Sequence, residues 1–171
     1  LARVQNPREL GRSLEPVALQ EVVSETLKMV KGLANERAVQ VAVEADDDAA
    51  RAASVRGPSR DLARALRNLL DNAIVHSAEG GAVRVRLTRD HDTVTIRVLD
   101  DGAGVASEDR EHLFQPFFRG SRDQASDRPG AGLGLAIARN IARKRGGDVV
   151  LLERLGERGA AFALRLPLLE G

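Results

Sequence analysis

Three polar side chains in the middle of the chain, Asn68, Asn72 and His76, follow one another at intervals of four residues. At about 3.6 residues per turn, this spacing places all three on one face of a helix. An Asn carboxamide oxygen can coordinate Mg²⁺, which keeps several waters and binds substrate phosphates as well. A solvated polar stripe would show the same spacing. The same helix is predicted to pack through a separate apolar stripe, formed by Leu62, Leu66, Leu69, Leu70 and Ala73.

Asp100 marks a second candidate site, because it ends an alternating strand pattern and is followed by Gly102 and Gly104. Glycine permits a tight turn and lets the backbone come close to a ligand. A carboxylate at a strand end can accept a hydrogen bond from an exocyclic amine such as that of adenine. Asp-Asp-Gly is equally a good turn sequence.

A third candidate is the glycine run Gly130, Gly132 and Gly134, which precedes an apolar helical pattern. It follows a long loop rather than a strand, and its third glycine comes too early for a dinucleotide-binding G-x-G-x-x-G fingerprint. Backbone N–H groups at the start of a helix can hold phosphate oxygens with the help of the helix dipole. A flexible hinge is the alternative interpretation.

The composition limits the class of protein. The chain has 171 residues, of which 43% are hydrophobic but only 2% aromatic, so we expect one domain with an aliphatic core. A net charge of +1 gives no global basic field for nucleic acid. The absence of cysteine excludes disulfides and thiolate chemistry. No apolar run approaches the roughly 20 residues that cross a bilayer, and no signal peptide is visible.

Helical and strand patterns alternate along the chain and include two antiparallel hairpins, so we predict the α+β class. The acidic run Asp46–Asp48 is predicted to be a solvated turn rather than a cation site. Residues 102–131 form a long aperiodic segment, which in a compact domain is usually functional or disordered. Strands are predicted at 14–17, 39–43, 83–87, 94–98, 149–152 and 161–166, and helices at 19–31, from 58 onward, and at 133–144.

Four segments together resemble the N, G1, F and G2 boxes of sensor histidine kinases. They are Arg67–Ala73, Asp100–Gly104, Leu113–Gly120 and Gly130–Ile137, in the family's order. The resemblance covers about residues 14–168. It implies the Bergerat fold, a two-layer α/β sandwich in which helices cover one face of a mixed, mostly antiparallel sheet and a long lid covers ATP. Residues 14–171 would be the catalytic domain, and residues 1–13 a linker or the remnant of a preceding helical dimerisation domain.

The resemblance also implies roles for individual residues. Asn72 would ligate Mg²⁺, and Asn68 would lie near the metal and the phosphates. Asp100 would read the adenine amine, and His76 would stand where the family often has an aromatic ring against adenine. Asn68 and Arg119 are the residues it associates with catalysis.

The lid of the family corresponds to residues 105–131, from which Arg119 would contact phosphates and Phe114 and Phe117 would anchor the lid to the body. The remaining contacts with ATP would come from Gly102, Gly104, Phe117, Gly130, Gly132, Leu133, Gly134 and Leu135.

Two positions depart from the pattern of the family. Val75 stands where many members carry a Lys or Arg for phosphate, which increases the weight on Arg119 and Arg122. Ala160 follows Gly159 where a Thr commonly supports the adenine-binding Asp, so water or another residue must support Asp100.

ATPases that share the fold hydrolyse ATP with a Glu four residues before the metal-binding Asn, where this chain has Asn68. An amide cannot act as a general base at neutral pH, whereas phosphoryl transfer needs mainly positioning and charge neutralisation. The interpretation is therefore a histidine kinase catalytic domain. The alternatives are a nucleotide-binding regulatory module without kinase activity and an ATPase of this superfamily.

The phosphoacceptor His of the family is followed by an acidic residue and later by a Pro, on a dimerising helix. Here His76 belongs to the N-box helix, His91 to a predicted hairpin turn and His112, followed by Leu113, to the lid, so none is a credible acceptor. We therefore expect this chain to bind Mg-ATP without labelling itself. The expected partners are an acceptor-histidine domain of the same protein and a response regulator, with no nucleic acid. The fragment is expected to be monomeric and cytoplasmic, within a homodimeric parent that could be anchored in the inner membrane.

Overall fold

The computed structural model describes residues 15–124, 132–154 and 157–169. The strands are β1 (Pro16–Ala18), β2 (Gln40–Ala45), β3 (Ser54–Arg56), β4 (Ala82–Arg89), β5 (Thr93–Asp100), β6 (Asp148–Leu152) and β7 (Ala161–Pro167). The helices are α1 (Leu19–Glu36), α2 (Asp48–Arg51), α3 (Ser59–His76), α4 (Ser121–Gln124) and α5 (Gly134–Arg143), with a 3₁₀ turn at Ser107–Asp109. The predicted linker, residues 1–13, lies outside the described residues.

Five strands form one mixed sheet in the order β2-β4-β5-β7-β6, and β1 pairs with β3 in a small antiparallel sheet. β2 runs parallel to β4, while the other neighbours in the large sheet are antiparallel. A parallel pair needs a crossover connection, and the segment that contains α3 provides it. The two predicted hairpins are present, with β7 between β5 and β6.

The long helices α1, α3 and α5 form the second layer, in which α3 packs between the other two. The core lies between this layer and the sheet and is aliphatic, as predicted. The predicted stripe of α3 is almost fully buried, since Leu66, Leu69 and Leu70 are each 0% exposed. The α+β class, with helices over a mixed sheet, is thus confirmed.

Some boundaries differ from the predictions for local reasons. α1 continues to Glu36 instead of ending near Lys31, because Val30 and Ala34 both bury against the core. Packing there outweighs the low helix propensity of Gly32. Pro58 precedes the first turn of α3 instead of forming part of it.

The acidic run is an exposed turn with a structural function that the pattern did not reveal. The Asp47 side chain accepts a hydrogen bond of 2.6 Å from the Ala50 N–H, which caps the unpredicted helix α2. Within the described residues, no cluster of three or more His, Asp or Glu side chains has the arrangement of a metal site. No helix in the same ranges is long and apolar enough to cross a membrane.

Candidate nucleotide-binding site

A cavity of about 400 Å³ opens between α3, the end of β5, the segment after β5 and the first turn of α5. It brings most of the predicted site residues together. Gly102 and Phe117 do not line it, and Gly130 lies outside the described residues. The predicted residues that line it are Asn68, Asn72, His76, Asp100, Gly104, Arg119, Gly132, Leu133, Gly134 and Leu135.

Asp100 is the last residue of β5 and is only 4% exposed. Its Oδ1 accepts hydrogen bonds from the backbone N–H of Gly102 at 2.9 Å and of Ala160 at 3.1 Å. Both bonds use the same oxygen, so Oδ2 is available to a ligand in the cavity. Burial raises the pKa of this carboxyl above its ordinary value of 3.8, although the two N–H groups, His76 and Arg154 act to lower it.

Gly102 lets the backbone that follows β5 pack closely against the end of α3. A side chain at this position would overlap the main-chain carbonyl of His76 at the end of α3. Gly104 has a φ of 76°, in the left-handed region that favours glycine. The two glycines let the chain turn between α3 and the residues before β7, as the predicted tight turn requires.

At the other end of the cavity, Asn68 faces the start of α5. Its Nδ2 is buried and has no hydrogen-bond partner in the part of the chain that the structure describes. A Cβ at Gly134 would lie 3.5 Å from Asn68 Oδ1, an ordinary contact. Among the described residues, no side chain caps the first turn of α5. Asn68, Leu133 and Gly134 line the same cavity, and the N–H groups of a helix start suit an anionic ligand.

His76 connects α3 to the segment after β5. Its Nδ1 lies 2.7 Å from the carbonyl oxygen of Asn72, and its Nε2 lies 2.9 Å and 3.0 Å from the two carboxylate oxygens of Asp123. The ring predicted to lie against adenine therefore lines the cavity and also holds α4 against α3.

Arg119 lines the cavity from the same segment, and one of its Nη groups donates to the carbonyl of Asp123 at 3.1 Å. The buried Asp109 accepts from the Ser121 N–H at 2.9 Å and from its hydroxyl at 3.0 Å. These bonds give the described part of the predicted lid a fixed path along the cavity.

The predicted anchoring role is correct for Phe114 but wrong for Phe117. Phe114 packs edge-on against Phe162, with ring centroids 6.2 Å apart, and Arg139 lies over its face at 4.3 Å. The side chain of Phe117 is 73% exposed. Its φ of 65° turns the ring outward, and the neighbouring Phe118 lines the cavity instead.

Three acidic residues of the cavity wall, Asp71, Asp109 and Asp123, were missed by the sequence analysis. Asp71 is adjacent to Asn72 and could have been inferred from the helical spacing. Burial raises the pKa of its carboxyl, while Arg67 acts to lower it. Asp109 and Asp123 lie in the aperiodic segment, where no local pattern indicates which side chains turn inward.

Comparisons with known proteins agree with this geometry. Residues 57–170 match the family described as "Histidine kinase-, DNA gyrase B-, and HSP90-like ATPase". The chain is 33% identical over 169 residues to the sensor-like histidine kinase SenX3 of Mycobacterium tuberculosis (strain ATCC 25618 / H37Rv). The matched region covers 99% of this chain and 40% of SenX3, so the chain spans about two fifths of that relative.

Two solved structures extend the comparison. The mycobacterial sensor histidine kinase MprB matches with a TM-score of 0.77 and 32% identity, over 90% of this chain and 98% of that chain. Full-length ShkA in complex with AMPPNP matches with a TM-score of 0.77 and 26% identity, over 93% of this chain and 32% of that chain. The chain therefore belongs to the family of histidine kinase-, DNA gyrase B- and HSP90-like ATPases, as a homologue of the catalytic domains of two-component sensor histidine kinases.

Proposed function

We propose that this chain binds Mg-ATP and presents the γ-phosphate to a histidine on a separate dimerisation domain, from which a response regulator receives it. The observation that carries the proposal is the cavity itself. It places Asp100 at one end and Asn68, Asn72 and the uncapped start of α5 at the other. Membership of the family implies that the bound nucleotide is ATP, and ShkA was solved with AMPPNP.

The base would bind at Asp100. Its Oδ1 is already occupied by two backbone N–H groups, so Oδ2 would accept a hydrogen bond from the exocyclic amine of adenine. A carboxylate accepts but does not donate when ionised. The site should therefore favour adenine over a base that carries a carbonyl at the same position.

The charges of the cavity fit a metal-bound triphosphate. Asp71, Asp109 and Asp123 line it, and Arg119 is the only Lys or Arg among the described lining residues. Val75 lines it where many family members have a cation. A bare triphosphate would be repelled by this wall, so we assign its neutralisation to Mg²⁺ held by the carboxamide oxygen of Asn72 together with phosphate oxygens.

The identity of Asn68 favours transfer over hydrolysis. An amide cannot remove a proton from water at neutral pH, and its buried Nδ2 is a donor without a partner in the described ranges. In phosphoryl transfer the protein mainly positions groups and neutralises charge. Asn68 and Arg119 would then contact the transferring phosphate instead of activating water.

Binding can be tested by calorimetry with ATP in the presence and absence of Mg²⁺. We expect Mg²⁺ to strengthen ATP binding and Asn72→Ala to remove most of this gain, about tenfold in Kd, because a metal ligand is lost. Asn140→Ala is the matched control, since it makes the same change at an exposed position of α5. If Asn72→Ala left the effect of Mg²⁺ intact, the assigned metal ligand would be wrong.

Transfer can be tested with γ-labelled ATP and a separately purified acceptor-histidine domain. We expect label on that domain, little free phosphate and no stable label on this chain. ATP binding without transfer would support the alternative, a regulatory nucleotide-binding module, which the apolar Val75 in the cavity wall favours. Steady phosphate release would instead identify an ATPase.

A further inference from the structure

Asp100, at the end of β5, makes an unusual pair of hydrogen bonds with Ala160, which precedes β7. In a hydrogen-bonded antiparallel pair, two opposed residues exchange both N–H···O bonds. Asp100 and Ala160 make only one of them, from the Asp100 N–H to the Ala160 carbonyl at 3.0 Å. The Ala160 N–H turns instead to the Asp100 carboxylate at 3.1 Å. The main-chain carbonyl of Asp100 is thereby deprived of its usual donor.

Arg154 supplies the missing donor. Its Nη1 donates to the carbonyl oxygen of Asp100 at 2.6 Å, from a position 54 residues farther along the chain. A buried carbonyl without a partner would cost about 1–3 kcal/mol. The guanidinium therefore lets the Ala160 N–H remain on the carboxylate without leaving the carbonyl unpaired.

The loop between β6 and β7 holds Arg154 in this position. The side chain of Arg154 is only 10% exposed, and its Nη2 and Nε donate to Glu157 Oε2 at 2.6 Å and 3.2 Å. Gly159 has a φ of 87°, and a side chain there would overlap the Asp100 carbonyl and lie 3.0 Å from Arg154 Nη1. The absence of a side chain at Gly159 is thus what gives the guanidinium access.

We propose that Arg154 is a positioning residue for base recognition: it occupies the Asp100 carbonyl so that the Ala160 N–H can orient the Asp100 carboxylate toward the base. The inference rests on the proposed function, in which this carboxylate reads the adenine amine. It also accounts for the absence of a hydroxyl at position 160. Backbone N–H groups hold the Asp100 carboxylate, and the guanidinium holds the Asp100 main-chain carbonyl.

The test compares two nucleotides that differ where Asp100 reads the base. Inosine triphosphate carries a carbonyl in place of the exocyclic amine of ATP, so the ratio of the two dissociation constants reports on the carboxylate. We expect Arg154→Ala to weaken ATP binding about tenfold and to change inosine triphosphate binding little, so that the ratio collapses. Arg154→Lys, which keeps one N–H donor, should retain most of the ratio.

Arg158→Ala is the matched control, because Arg158 is an exposed neighbour whose side chain makes no ion pair with the described residues. It should leave both constants unchanged. A purely structural role of Arg154 would weaken both nucleotides equally, and that result would overturn the inference. If Arg154→Ala does not fold, Arg154→Met takes its place, because Met fills a similar space without an N–H donor: loss of the ratio in that variant supports the inference, and an unchanged ratio overturns it.

Asp100→Asn separates this inference from the proposed function. If the unaltered chain does not prefer ATP, or if Asp100→Asn leaves the preference intact, base reading by Asp100 fails. If Asp100→Asn removes the preference while Arg154→Ala preserves it, only the role of Arg154 fails.

Discussion

The two ends of the cavity are built in opposite ways. At the proposed base end, formed by Asp100, Gly102 and Ala160, two backbone N–H groups already hold Asp100 Oδ1, and the backbone leaves no room for a side chain at Gly102. At the proposed phosphate end, formed by Asn68, Asn72 and Gly134, a buried amide group has no partner among the described residues, and a Cβ would fit at Gly134. In the proposed binding mode, base recognition would therefore rest on the folded framework, whereas the phosphate end would be completed by its ligand.

The largest difference in stability should come from alanine at one motif glycine of each end, Gly102 and Gly134. Gly102→Ala would force its methyl group into the carbonyl of His76, and we expect a loss of about 3 kcal/mol or more in the free energy of unfolding. Gly134→Ala places a methyl group in ordinary contact at the start of α5, and we expect a change within about 0.5–1 kcal/mol, in the stabilising direction. Urea unfolding of both variants measures this. Equal losses would contradict the comparison.

Asp100→Asn should weaken ATP binding by about 10- to 100-fold, because the acceptor that faces the base loses its charge or presents a donor. The same substitution should raise the free energy of unfolding at neutral pH. Because burial raises the pKa of Asp100 above 3.8, its contribution to stability is present below pH 3.8 and is lost as the pH rises through the folded pKa. At pH 7 the Asn variant escapes this penalty.

The measurement is the free energy of unfolding of both proteins from pH 4 to pH 7, with the advantage of the Asn variant growing as the pH rises. Asp90→Asn is the control, since Asp90 is exposed in the turn between β4 and β5. A stability difference that shrinks toward neutral pH would show that the charge at Asp100 is well accommodated in the fold.

The smallest effect concerns Asn68. Leu has a similar shape and no donor, so Asn68→Leu should stabilise the ligand-free protein by about 1 kcal/mol, because the unpaired buried amide group is removed. Transfer to the acceptor domain should be lost at the same time. Thermal unfolding without nucleotide measures the first effect. A destabilised variant would mean that Asn68 is already satisfied in the free protein.

The sequence predicted the parts of the cavity wall that follow local patterns better than the parts that depend on distant contacts, for a physical reason. Asp100 and Gly102 follow a strand whose alternation is local, and the helical spacing of Asn68, Asn72 and His76 is local too. The bridge from His76 to Asp123 joins residues 47 apart within a segment without periodicity. No local pattern specifies such a contact.

Three further features of the structure could not be predicted from periodicity. Alternation does not distinguish the partly buried Phe114 from the exposed Phe117, because the direction of Phe117 depends on a positive φ that its residue type does not suggest. Ala160 signalled a missing hydroxyl, but nothing near it in the sequence pointed to Arg154. The four-residue helix α2 was missed because one capping side chain, that of Asp47, defines it.

The Ala160 N–H and the Asp100 carboxylate that it binds are 60 residues apart in the chain. The proposed base-recognition site is therefore complete only after β7 has paired with β5. The hairpin of β4 and β5 can form early, yet its Asp100 remains unoriented until nearly the last part of the chain has folded. If the base binds at Asp100 as proposed, nucleotide affinity is linked to local opening of β6 and β7. A bound base should slow hydrogen exchange of the β7 amides more than that of α1, on the far side of α3 from α5.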